Sequence, residues 1–244
     1  MLAELRKTLA RLERITGIDG HAGVLPLGVT PIDTALGGGL ARGALHEIAA
    51  LSESHIAAAS SLALGLIQPT HRAAWISKDM TLHESGVLCG AGLDDAARVP
   101  ERLLLIQSGR TLDLLWAMEE ALHCQALDLV IGELRNESID LVALRRLSLA
   151  AATHNAIAVL LRASPTRTAS AAVTRWVVES APSQPRYGPG APRLRAQLIR
   201  NRRGPVGDWT LEWSATDECF VLATTNPQPV ARPIIHRPAR AAVA

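Results

Sequence analysis

Three cysteines, Cys89, Cys124 and Cys219, are all that 244 residues contain. Odd in number and far apart, they give no disulfide framework and no metal-type spacing, and they fit reduced thiols in a cytoplasmic protein. Aromatic residues make up 3% of the chain, which leaves packing to Leu, Val, Ile and Ala. Neither sign of charge dominates. A net charge of +2 is too small to argue by itself for a nucleic-acid partner. No apolar run reaches the roughly 20 residues that cross a bilayer, and no secretory signal is visible, so no membrane contact is expected. The histidines lack metal-ligand pairing, and the GxSxG elbow of serine hydrolases is missing.

What is present describes an ordinary globule, 48% hydrophobic and 20% charged. The length suits one main domain with terminal extensions. Residues 1–24 form the first extension. Leu2, Leu5, Leu9, Leu12 and Ile15 recur at helical spacing, with Arg6, Lys7, Arg11 and Arg14 elsewhere around the wheel. Glycines at 17, 20 and 23 then separate this stripe from the rest, so a partner or the chain's own core covers it. Residues 226–244 form the second extension, rich in Pro and Arg, without acid or period, and read as disordered.

Residues 25–225 form the core. In "GVTPIDTALGGGLARG", Thr30 is placed to cap a short helix, Pro31 suits its first position, Asp33 its positive end, and Gly37 stops it. Strand-like and helix-like runs then alternate: Ala44 to Ala49, Ala57 to Ile67, Ala73 to Ser77, Leu82 to Ala91, Leu103 to Gln107, Leu112 to Cys124, Leu127 to Gly132, Ile139 to Thr153, and Ile157 to Leu161. Nearly unbroken apolar strands between helices predict an α/β fold with a mainly parallel sheet covered on both faces. The rhythm changes in "VTRWVVES", "RLRAQLIRNRR", "DWTLEWS" and "CFVLAT", whose short alternating patterns predict an antiparallel flank, with Trp209, Leu211 and Trp213 on one face.

These pieces, in this order, resemble the RecA family. "LPLGVTPIDTALGGGLARGALHEI" is similar to the family's entry into its ATPase core. "AAWISKDMTLHESGVLCGAGLD" is similar to its next strand and helix, and "LDLVIGE" to its Walker B strand. Within it, "LLWAMEEALHCQALDLVIGEL" with "LIRNRRGPVGDWTLEW" resembles the ImuA family, RecA-like proteins of bacterial damage-inducible mutagenesis cassettes. The resemblance spans about residues 1 to 225 and implies a RecA-like core. It further implies a non-catalytic role in SOS-induced translesion DNA synthesis. The partners it implies are an ImuB-like Y-family polymerase homologue and an error-prone C-family DNA polymerase, with RecA and DNA as further candidates. Two alternatives stand beside it: a DNA-binding RecA-like protein or unorthodox ATPase that modulates recombination, and an SOS cell-division inhibitor.

The frame of a phosphate loop is present in "LHEIAALSESHIAAASSLALGL", yet no Gly-Lys-Thr or Gly-Lys-Ser stands at its turn. Such a loop works because glycines let backbone N–H groups converge on oxygen, lysine neutralises the β and γ phosphates, and a hydroxyl holds magnesium. Laid on the family's loop, the first glycine falls at Ala50, the second at His55, the lysine at Ile56 and the hydroxyl at Ala57. A charge-assisted hydrogen bond contributes about 1.5–3 kcal/mol, so loss of lysine and magnesium ligand together moves a micromolar site toward millimolar. No nucleotide or other cofactor is therefore expected, and no catalytic residue or metal. The resemblance puts the family's water-activating glutamate near Asp79 and its Walker B aspartate near Glu133, acids read here as solvated strand ends.

The family's two DNA-binding loops are abbreviated, to a few residues in "ELRNESIDLVALRRLSLAAATHN" and to a stub from Ser164 to Ser170. Neither carries an aromatic residue on which a base can stack. Basic residues collect instead at Arg186, Arg193, Arg195, Arg200, Arg202 and Arg203, and in the tail at Arg232, Arg237 and Arg240. The five from Arg193 to Arg203 are candidate DNA contacts. The plainer reading is that alternating arginines protect an edge strand from aggregation.

Overall fold

A computed structural model describes residues 23–79, 88, 102–183 and 190–223. The stripe from Leu2 to Ile15, the helix expected over Leu82 to Ala91, Cys89, Arg186, Tyr187 and the tail from 226 lie outside them.

A two-stranded ribbon, β1 (Val24–Leu25) and β2 (Leu40–Ala41), brackets helix α1 (Thr30–Ala35). Pro31 lies in the first turn as expected, but Thr30 is already helical. The residue before the helix is Val29, which has no hydroxyl to cap with. The Val29 carbonyl takes the Ile32 and Asp33 amides, both at 2.9 Å, and the Asp33 carboxylate ties down the preceding loop, accepting from the N–H groups of Leu27 at 2.8 Å and Gly28 at 3.0 Å. Gly39 lets the ribbon close: its φ is +143°, and a Cβ there would lie 2.3 Å from the Leu25 carbonyl oxygen.

The chain then alternates through β3 (Ala44–Ala50), α2 (Ile56–Gly65), β4 (Ala73–Lys78), β5 (Leu103–Ser108), α3 (Thr111–His123), β6 (Leu129–Glu133), α4 (Leu141–His154) and β7 (Ile157–Arg162). It ends in β8 (Thr174–Ala181), β9 (Arg193–Asn201), β10 (Gly207–Ser214) and β11 (Cys219–Leu222). Nine of these strands form one sheet in the order β11-β10-β9-β8-β3-β7-β6-β4-β5. From β5 to β8 the pairing is parallel, and from β8 to β11 antiparallel. "VTRWVVES" is thus the seam between the two parts, parallel to β3 and antiparallel to β9, where its pattern alone suggested only an antiparallel strand. The strand β9 is interior, flanked by β8 and β10, so its arginines guard no edge.

Both faces are covered because β6 and β7 read "LVIGE" and "IAVLLR", apolar toward either side. One face packs Ile48, Trp75, Ile131, Val159 and Trp176 under α1 and α2. The other packs Leu45, Ile76, Val130 and Leu160 under α3 and α4. Small residues bring α2 close: a Cβ on Gly65 would meet the Phe220 ring of β11 at 2.9 Å. Trp213 meets that ring edge-on at 5.1 Å, and Trp209 lies 6.0 Å from Trp176. The shared face of Trp209, Leu211 and Trp213 is accordingly the one that packs on this core.

Candidate functional site

The carboxyl ends of parallel strands are where open α/β sheets gather chemistry. There, β3 passes through a single 3-10 turn, Glu53–His55, into α2. The residues laid on the phosphate loop fall in order: Ala50 ends the strand, His55 closes the turn, and Ile56 and Ala57 open the helix. Their environment is apolar or already paired. Ala50 is fully buried. The Leu51 N–H donates to the Val178 carbonyl at 2.8 Å, and the His55 N–H to the Ser52 carbonyl at 2.9 Å, so both amides serve the fold. The His55 ring accepts from the Ser180 N–H at 3.0 Å through Nδ1, tying the turn to β8. Ser52 and Ser54 hydroxyls bond each other at 2.9 Å.

Arg135 crosses the space beside this turn. Its guanidinium meets Glu53 at 2.7 Å, and through Nε and the second terminal nitrogen it meets Glu133 Oε1, both at 3.0 Å. The other oxygen, Glu133 Oε2, accepts from the Trp75 indole N–H at 3.1 Å. Glu133 is buried, where the sequence suggested a solvated strand end, and both its oxygens are committed. A buried carboxylate needs such partners, since leaving it unpaired costs several kcal/mol. Asp79, by contrast, is exposed just past β4. The chain holds only two lysines, Lys7 and Lys78. Of these Lys78, at the end of β4, is paired with Glu137. A cavity of about 260 Å3 remains between α2 and the strand ends, walled by Ile56, Ala57, Ser60, Trp75, Glu133 and Arg135.

A second polar cluster holds the two short intervals that follow β6 and β7. Glu47, buried in β3, pairs with Arg175 directly opposite on β8 at 2.7 Å and accepts from the Ser170 hydroxyl at 2.6 Å. Arg175 also donates to the Thr166 carbonyl at 2.6 Å and the Thr168 carbonyl at 3.3 Å, pinning the stub from Ser164 to Ser170. Arg162 reaches the Glu137 carbonyl at 3.2 Å, and its burial lowers its affinity for a proton, against which Glu47 acts. Asp140 caps α4 by accepting from the Ala143 N–H at 2.8 Å.

Below lies His46, fully buried in β3. Its Nε2 lies 2.9 Å from the Ala41 carbonyl, which requires a proton there, so Nδ1 accepts from the Thr174 hydroxyl at 2.7 Å. The Trp176 indole donates to the same hydroxyl at 3.1 Å. Burial lowers the His46 pKa to about 4, the Ala41 hydrogen bond opposing it and the Arg203 charge adding to it.

The candidate DNA contacts divide. Arg193 pairs with Glu212, and Arg195 with Asp208 at 2.5 Å and Glu179 at 3.0 Å. The Arg195 hydrogen bonds hold Asp208 below the usual carboxylate range. Arg200 and Arg202 instead approach the Ser170 carbonyl, at 3.4 and 3.1 Å, while Arg203 lies across the sheet near Gly37. Among the described residues no three His, Cys, Asp or Glu side chains converge as a metal site would need, and no helix is long and apolar enough to cross a membrane.

Sequence reasoning missed Arg135, Glu47 and His46. The signal for the first was there: Glu-Leu-Arg at a strand end puts Glu133 and Arg135 on one side of extended backbone. No comparable signal marked Glu47 or His46, whose partners are on other strands.

This strand order, with one strand between the turn-bearing β3 and the acid-bearing β6, defines a RecA-like fold. No family model matches the chain, and no curated protein sequence does. Solved structures do. The crystal structure of the RadB recombinase superposes with a TM-score of 0.60 at 16% sequence identity, over 82% of this chain and all of that one.

Proposed function

We propose that this chain is a RecA-fold protein that does not hydrolyse ATP and works through its surfaces, as an ImuA-type accessory of damage-induced translesion DNA synthesis. The observation that carries the first half is Arg135. Its guanidinium spans Glu53 and Glu133, the two acids that flank the place the resemblance gives to triphosphate and magnesium. A triphosphate entering there meets Ile56 in place of a cation, finds the turn's amides at residues 51 and 55 already bonded, and has to break an ion pair between largely buried groups. Magnesium finds both Glu133 oxygens already hydrogen-bonded, one to Arg135 and one to Trp75. A catalytic acid cannot orient water toward a phosphate that is not held.

The second half rests on the ImuA resemblance of residues 114–134 and 198–213. Its partners are an ImuB-like Y-family polymerase homologue and an error-prone C-family polymerase, in the cytoplasm, with RecA and DNA as further contacts. The amphipathic stripe and the basic tail are the segments proposed to reach them. Affinity capture from DNA-damaged cells tests this, using the full chain and versions lacking either the first ~20 residues or the tail. Recovery of both polymerases with the full chain, reduced by one truncation, is expected. Recovery of neither sinks the role, whatever the nucleotide site does.

A further inference from the structure

Helix α4, the interval 163–173 and the end of β9 enclose a groove of about 360 Å3 whose charge is of one sign. Residues 141–154, 163–173 and 193–206 contain no Asp or Glu. Several neighbouring arginines are closely neutralised: Arg146 pairs with Glu119, Arg193 with Glu212, Arg195 with Asp208 and Glu179. Among the described residues Arg145, Arg200 and Arg202 have no such carboxylate. Arg200 and Arg202 share only the Ser170 carbonyl, a weak counter-charge. Burial, then the Arg200 charge, hold Arg202 below its ordinary range. Two cations crowded on one neutral oxygen are left wanting an anion.

Between Arg145 and Arg202 the lining is largely apolar, its two serines, Ser148 and Ser170, being buried. Leu141, Leu149, Ala169 and Ala171 supply its apolar part, and Leu149 is 44% exposed. No aromatic residue stands on any of the three walls, so a nucleic-acid base has nothing to stack on. An apolar floor between guanidinium groups matches another chemistry, an apolar side chain flanked by carboxylates.

We propose that this groove docks a short acidic segment of a partner protein that presents one large apolar side chain. Its carboxylates pair with Arg145 and Arg202, and its apolar side chain covers Leu141 and Leu149. Arg200 adds charge without a direct bond. This deepens the reading of the chain as a contact protein, on which it rests for a protein occupant, and it names the partner's chemistry.

The test uses the full chain and a fluorescein-labelled peptide with Leu-Phe between runs of Glu, read by anisotropy. Three controls run beside it: the same peptide with Gln for Glu, with Ser-Ser for Leu-Phe, and a labelled oligothymidylate. The acidic apolar peptide should bind at least about tenfold tighter than either altered peptide, and salt should weaken it. Arg145→Glu with Arg202→Glu, and separately Leu149→Ser, should each weaken it by about tenfold or more. Arg195→Gln, whose cation is already neutralised, should leave it unchanged. Circular dichroism and thermal unfolding establish that each variant is folded, so the milder Leu149→Ser decides if the double variant fails. Equal binding of all peptides, or indifference to the variants, overturns the proposal. So does oligothymidylate binding tighter through the same arginines, which makes the groove a nucleic-acid site. Triphosphate binding, measured on the same preparation, is independent of all these outcomes.

Discussion

Arg135→Met removes a guanidinium but keeps most of a side chain's volume. The exposed half of its work counts for little: the Glu53 side chain is 53% exposed, and such a pair contributes at most about 1 kcal/mol. The Glu133 half is different, because those two side chains are only 10% and 9% exposed. Removing one partner of a buried pair costs about 3–5 kcal/mol, since the other is left charged and uncompensated. One hydrogen bond from Trp75 stays with Glu133, which argues for the lower end, about 3 kcal/mol. In urea, followed by tryptophan fluorescence, that is a fall in midpoint of roughly 1 M for an m-value of about 3 kcal/mol/M. Glu133→Gln in the Arg135→Met background should restore much of the loss, giving a coupling of about 2 kcal/mol in the double-mutant cycle. If each single change costs under about 1 kcal/mol and the two simply add, Arg135 is a surface residue and the closed-site argument fails.

Two further outcomes follow from the same structure and sequence. His46 takes up a proton far less readily folded than unfolded, so the unfolded chain binds more protons between pH 6.5 and about 4. Stability from this group is therefore full above pH 6.5 and is lost as pH falls, by about 2 kcal/mol at pH 5. Chemical denaturation across this range should show that slope in the native chain and lack it in His46→Gln; equal slopes in both would contradict the assignment. Leu5→Asp with Leu9→Asp should weaken partner capture or self-association while thermal unfolding of the core stays unchanged. Size-exclusion and pull-down profiles identical to the native chain would assign the stripe to no interface.

The parallel core was legible in the sequence because β3, β4, β6 and β7 are apolar on both faces, a pattern strands show only when helices cover them. The antiparallel flank was legible from alternation, but its junction was not. "VTRWVVES" reads alike whether its neighbour on one side runs parallel or antiparallel, since side-chain alternation carries no direction. Thr30 failed as a cap for a local reason: the helix already includes it, and the Ile32 and Asp33 amides its hydroxyl would take donate to the Val29 carbonyl, both at 2.9 Å. The lysine-free turn could be read directly, residue by residue. What fills the neighbouring space could not. Arg135 meets Glu53 across 82 residues, and Glu47 meets Ser170 across 123, pairings fixed by strand order and invisible to any local window. The arginines of β9 divide for the same reason, because Asp208 and Glu212 come from β10 and face only its first half.

Isothermal titration of the full chain with ATP and magnesium tests the central claim most directly. With Ile56 at the helix start and Arg135 bound to Glu133, the account expects no heat of binding at micromolar nucleotide, and any dissociation constant near millimolar or weaker. A micromolar constant, abolished by Arg135→Met or by blocking the turn at His55, would mean that triphosphate is held there after all.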